Sequence, residues 1–342
     1  MSALGWFPSK ADPNVWMKDL GDHWEYLCTW VDDLLYADNN GEQFYQDLRN
    51  AGYKLKGVGT PTYHLGGDFK RVTDPEEVLT WGSHTYIQKM LFHYEVMFGE
   101  PVPKREVHAP LEPGDHPESD TSPLLCDPLD ISHYLSMIGA MQWAIALGRI
   151  DIMAATMTMS RFRTAPREGH LTRLKRIYCY LRNYKKTAIK FRTDMPDYSM
   201  YKADTPNWGH VYHPCKEDIP TDMPTPRGKL VRTTTFIDAN LMHDLVTGRS
   251  ATGIIHLLNK TPIDWYSRGQ NTVETATYGS EFLAARIGTD QIIDLRYTLR
   301  MLGVPISPLV DVWRQSQCYP KCNDPEFHSQ QAPQCPFLSP CT

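Results

Sequence analysis

Residues 25–37 read Glu-Tyr-Leu-Cys-Thr-Trp-Val, then Asp32-Asp33, then Leu-Leu-Tyr-Ala, and this stretch constrains the fold most tightly. Two short apolar, β-prone runs separated only by acids predict a hairpin with the acids at its tip. Adjacent carboxylates there, preceded by Trp30 and Val31, suit a hard divalent cation such as Mg²⁺. An ion so held neutralises phosphate charge in phosphoryl transfer. A polar turn without metal is the other reading of the same pair.

The rest of the chain is ordinary globular material. Its 342 residues are 41% hydrophobic and 22% charged, which excludes a disordered or collagenous chain and leaves room for two domains. The longest nearly apolar run, Leu135 to Gly148, is shorter than the ~20 residues of a bilayer span, and no signal peptide opens the chain. No membrane partner is expected. Widely spaced Cys28, Cys126, Cys179 and Cys215 read as reduced thiols, so an intracellular protein is expected, in either cytoplasm or nucleus.

Helical spacing appears at Gly41–Ala51, Thr85–Phe98, Ser132–Arg161 and His170–Arg182. Tyr63–Val72 reads as one strand, with a bulge or close approach at Gly66-Gly67. Pro101–Pro128 reads as loop, and Asp194–Lys229 as a connector. Strands then follow at Val231–Ile237, Thr252–Leu258 and Pro262–Ser267, with a long helix over Val273–Leu302. The class is α+β, in two units.

Between Arg161 and Arg192 eleven basic residues face one acid, Glu168. In a chain of net charge −5 this is either a phosphate-backbone track or a solvated helix face. Arg173, Lys175, Arg176, Arg182, Lys185 and Lys186 are its candidate contacts. In the second unit, Asp238 on a strand and Glu281 on the long helix are candidate metal ligands of a two-metal nuclease, with Glu274 on the same helical face. The alternative is an exposed strand-end Asp and an exposed helix Glu. Cys318, Cys322, Cys335 and Cys341, with His328 among them, match zinc-ligand spacings poorly, and no zinc is expected.

Several collinear motifs resemble copia-type retrotransposon polyproteins: SKADPNVWMK (9–18), CTWVDDLLYA (28–37), YHLGG (63–67), YLSMIGAMQW (134–143) and GHLTRLKRIYCYL (169–181). Residues 238–267 and 272–286 resemble the ribonuclease H domain of those polyproteins. The resemblance implies a partial reverse-transcriptase palm over residues 1–100 and a helical thumb or connection over 101–192. A linker over 193–230, an incomplete ribonuclease H-like mixed sheet with a long helix over 231–306, and an irregular tail over 307–342 follow. It places Asp32 and Asp33 at the family's YVDD-type motif, with Trp30 where Tyr is usual, and Leu65, Gly66 and Gly67 at the primer-grip hairpin. Asp238 and Glu281 match the first Asp and the helix Glu of the nuclease. Mg²⁺ is the implied cofactor, and an RNA–DNA hybrid or template–primer duplex the implied partner.

The resemblance also implies carboxylates that this stretch does not show. The family's other palm Asp lies on an earlier strand, and its nuclease continues after GVPI to a strand bearing Gly-Asp-Asn. Here the chain reads DVWRQS at 311–316. A coding sequence for Met-Phe-Gly-Asp-Asn-Gln read one register off yields those residues. The expectation is an out-of-frame tail, an accidental Asp311 and little or no catalysis by this chain alone. An inert nucleic-acid-binding remnant, or a residual nuclease using Asp264 or Asp290 as a third acid, are the alternatives.

Overall fold

The computed structural model describes residues 1–37, 41–199, 217 and 219–314. Strands β1 (Phe7–Pro8), β2 (Val15–Asp19), β3 (Trp24–Trp30) and β4 (Asp33–Ala37) form an antiparallel sheet in that order. Helix α1 (Gly41–Asn50) closes one face of it. A small core of Trp6, Leu27, Phe44 and Leu48 holds the two together, with Tyr36 stacked on Phe44 at 4.3 Å.

A second sheet, β5 (Tyr63–His64), β6 (Gly67–Thr73), β7 (Glu77–Gly82) and β8 (Ala188–Lys190), carries the helices. These are α2 (His84–Phe98), α3 (Pro128–Ala146), α4 (Met153–Met159) and α5 (Glu168–Asn183). Ile87, Tyr94, Tyr134, Ile138, Met141, Leu174, Ile177 and Tyr178 share one core. The expected boundary between residues 100 and 101 therefore moves. β7 pairs with β8 and α2 packs with α5 in the same core, so residues 63–190 form one unit.

Two local expectations also change. Tyr63–Val72 is a hairpin rather than one strand, because Leu65 and Gly66 both take positive φ, 46° and 94°, and make a two-residue turn. The expected close approach is real at Gly67, where any Cβ would collide with the Trp81 ring. Ser132–Arg161 is three pieces rather than one helix. After Ala146 the chain turns at a buried ion pair, Arg149 to Asp151 at 2.6 and 2.9 Å, before α4 begins.

The last unit is a mixed sheet ordered β11 (Thr261–Gly269), β10 (Ala251–Leu258), β9 (Val231–Asn240), β12 (Ile306–Arg314). β9 to β11 are antiparallel, and α6 (Thr277–Met301) crosses over to bring β12 parallel to β9. Residues 307–314 are thus a strand where an irregular tail was expected. The β-prone Val310, Val312 and Trp313 supply it, and the register shift after Ile306 absorbs Pro308, which a continuous ladder would not tolerate. The apolar core here is small, formed by Ile237, Ala239, Ile254 and Ala284. Polar bridges hold α6 down as well: Arg296 to Thr233 at 2.8 Å and Gln291 to the fully buried His256 at 3.2 Å.

The units are tied directly. Tyr26 donates to the carbonyl of Leu302 at 2.7 Å and Ser9 to that of Met301 at 3.2 Å, so the C-terminal end of α6 sits on the first sheet. No described helix is long and apolar enough to cross a membrane.

Candidate metal and nucleic-acid sites

β3 and β4 meet in register at Trp30 and Asp33, which leaves Val31 and Asp32 as a two-residue turn. Val31 has a φ of 52°, a left-handed conformation that is strained for a β-branched residue. It is 90% exposed and Trp30 57% exposed, so no packing of the side chain accounts for that strain. Asp32 and Asp33 are both exposed. The hairpin expected from the sequence is present, with adjacent carboxylates on its tip. Hard oxygen donors in ones and twos, completed by water and phosphate oxygens, are what Mg²⁺ accepts, so this pair fits part of a Mg²⁺ ligand set.

In the last unit the odd residues of β9 face α6. Thr233 meets Arg296, Thr235 meets His256, and Ile237 and Ala239 pack with Ala284. Asp238 takes the alternate face with Thr234 and Phe236, which both meet Tyr198. Glu281 sits in the turn of α6 whose Ser280 carbonyl accepts from Gln270, which also donates to Thr252. Thr252 is paired with Ala239. Asp238 and Glu281 are therefore brought to the same end of β9. Burial pushes the Asp238 carboxyl above the usual carboxylate range, while a backbone hydrogen bond at Ala239 pulls it back.

The other acids do not join them. Glu274 precedes the first turn of α6 and lies over Gly279, so it does not share a helical face with Glu281 as expected. Asp264 pairs with His256 on the outer strand, whereas Gly253 is level with Asp238. Asp311 is level with Thr234, four residues short of Asp238, or roughly 13 Å along a strand. The parallel register reaches the level of Asp238 only past Arg314, outside the described residues. Among the described residues, no three His, Cys, Asp or Glu side chains could together hold a metal ion. The tail cysteines and His328 lie outside the described residues.

The basic stretch is largely engaged within the molecule. Arg173 meets Asp115 at 2.8 Å and Asp120 at 2.5 Å, Arg176 pairs with Glu112, and Lys175 lies 4.1 Å over the Phe98 ring. Arg182 donates to Asn183 at 3.0 Å. Arg173 and Arg176 are thus ion-paired within the molecule in this conformation. Lys185 and Lys186 remain at the surface. Burial raises the Asp120 carboxyl, but hydrogen bonds from Ser122 and Arg173 outweigh it and hold it down at about 2.

One surface was missed. Leu135, Gly139 and Trp143 recur every four residues on α3, with Leu135 and Trp143 exposed and open space at Gly139. Trp143 and Leu147 flank the Gly66 turn, with Trp143 Nε1 3.3 Å from where a Gly66 Cβ would stand. The signal was available: these apolar residues fall out of phase with the buried Tyr134–Ile138–Met141 face.

The chain is 24% identical to the retrovirus-related Pol polyprotein from transposon RE1 of Arabidopsis thaliana, over 96% of this chain and 19% of that protein. It is 23% identical to the one from transposon TNT 1-94 of Nicotiana tabacum, over 89% of this chain and 20% of that protein. With a putative transposon Ty5-1 protein of Saccharomyces cerevisiae it shares 24% identity over 56% of this chain and 60% of that one. The chain spans about a fifth of the length of the Pol polyproteins it matches. No protein-family model matches, and no solved structure matches. At low identity but over most of the chain, these likenesses support a segment of a retrotransposon Pol polyprotein.

Two outcomes follow from the geometry. Val31→Gly removes left-handed strain of about 1–2 kcal/mol and loses about 0.5–1 kcal/mol to glycine entropy, so urea unfolding should show an unchanged or slightly raised midpoint, where a typical exposed strand-end Val→Gly lowers it. Asp120 titrates lower folded than unfolded, so its contribution is complete above about pH 4 and lost as the pH falls toward 2. Arg173→Met should flatten that acid limb, measured by urea unfolding at pH 5 and pH 3; an unchanged limb would refute the assignment.

Proposed function

We propose that this Pol-like segment joins the late part of a reverse-transcriptase palm, with its paired-aspartate hairpin, to a helical thumb or connection and a ribonuclease H-like unit. The strained Val31–Asp32 turn carries this reading. A β-branched residue held left-handed at an exposed tip is conformational strain of the kind found at functional sites, and here it lies next to two exposed aspartates. The crossover that lays β12 beside β9 supports the nuclease half, because it supplies the further strand that the resemblance implies.

Asp32 and Asp33 would hold Mg²⁺ at the hairpin; in the last unit Asp238 would be the ligand carried by β9, with Glu281 at the same end of the strand on the helix that packs against its other face. When bound, the ion supplies charge neutralisation at phosphate oxygens. The chain's own contribution is placement: the two-residue turn fixes the Asp32–Asp33 spacing, and the β9–α6 packing fixes the Asp238 end. Phosphoryl transfer depends almost wholly on such positioning and on charge. Neither pair gathers a third acid among the described residues, which supports weak or absent catalysis. The template–primer or RNA–DNA hybrid would meet the Trp143 stripe, the Gly66 turn and Lys185–Lys186.

Asp238 and Glu281 at one end of β9 favour a second reading, a residual Mg²⁺-dependent nuclease. Primer extension and RNA–DNA hybrid cleavage with and without Mg²⁺, using Asp238→Asn as control, separate the two. The expected result is no extension and no cleavage above that of the variant. Mg²⁺-dependent cleavage lost in Asp238→Asn would establish the nuclease instead. Duplex binding should appear at low salt and fall steeply as salt rises; negligible binding at low salt would remove nucleic acid as the partner.

A further inference from the structure

The loop between Leu111 and Pro117 is anchored at both ends and meets α5 through ion pairs between them. Leu111 packs against the helical core and Pro117 is buried. The residues between reach α5 only through charge: Glu112 pairs with Arg176, and Asp115 takes Arg173 at 2.8 Å through both carboxylate oxygens. A groove of about 630 Å³ is lined by Arg105, Arg173, Lys175, Arg176 and Cys179 together with Glu112 to Asp115. Gly114, at a φ of 72°, gives the loop a bend at its midpoint.

Where the loop returns to α5 the fit is tight. A Cβ on Gly169 would collide with Asp120, so glycine at the start of α5 allows that carboxylate to reach Arg173. Cations lining a groove, with carboxylates across their open side, make an arrangement in which a protein's own acids stand where phosphate oxygens would otherwise lie.

We propose that residues 112–115 are an acidic flap beside a phosphodiester-binding groove on α5, and that a nucleic-acid backbone displaces Glu112 to reach Arg176. This rests on nucleic acid being the partner and adds to it that the main cations are masked in the free chain. Glu112 is the accessible end of the flap, its side chain 56% exposed against 15% for Arg176. Displacement begins there. Asp120, which also accepts from the Ser122 backbone at 2.8 Å, belongs to the fixed part of the loop.

The test is fluorescence-anisotropy titration of a short labelled RNA–DNA hybrid across a salt series, with Glu112→Gln, Glu112→Gln/Asp115→Asn and Arg176→Met. Thermal melting monitors folding, and Glu112→Gln, altering an exposed side chain, keeps the test open should the double variant unfold. Freeing Arg176 should steepen the slope of log affinity against log salt by about 0.7–0.9. Glu112→Gln should bind several-fold tighter at low salt, and combining it with Arg176→Met should erase the gain. If the unchanged chain binds the hybrid and Glu112→Gln binds with the same affinity and slope, the flap does not compete and the inference fails while the nucleic-acid reading stands. If no form binds even at the lowest salt, both fail.

Discussion

The left-handed backbone at Val31 is the constraint on which the rest of the account depends. A two-residue turn in right-twisted strands demands positive φ in its centre, and glycine or asparagine would meet that demand at little cost. The chain places a β-branched residue there and leaves it in solvent. The turn keeps β3 and β4 in a register that sets Asp32 and Asp33 next to one another at the tip. β3 also carries Tyr26, which receives the end of α6, so the strand that presents the acids is the one on which the last unit rests.

Charge is arranged differently from what its distribution along the chain suggests. The basic run around α5 and the acidic, proline-rich stretch before α3 read as separate features, one a phosphate track or solvated helix face and the other a loop. In the fold they meet, and Arg173 and Arg176 are neutralised by Asp115, Asp120 and Glu112. Spacing along a chain records which residues share a helix face. It does not record what a distant loop brings to that face, which is why this pairing was not legible.

Elements with strong periodicity were legible: α1, α2, α5, α6 and the β9–β11 meander all lie close to where apolar spacing puts them. The misses have local physical causes. β8 is three residues long and exists because β7 offers an edge; β12 takes its hydrogen bonds from β9 and shows no period of its own. The break after Ala146 falls at Gly148, whose φ of 96° ends the helix, and the Arg149–Asp151 pair follows it. Among the candidate acids, Asp32, Asp33, Asp238 and Glu281 fall where sequence placed them in the fold. Glu274 does not, because α6 begins three residues after it.

The proposal that Mg²⁺ binds at the Asp32–Asp33 turn and at the end of β9 that carries Asp238 is tested most directly by Mn²⁺-induced broadening of backbone amide resonances. It predicts weak, saturable broadening centred on residues 30–34 and, separately, on the end of β9 with the first turns of α6. Broadening that spares both places, or that centres on other acids, would contradict it.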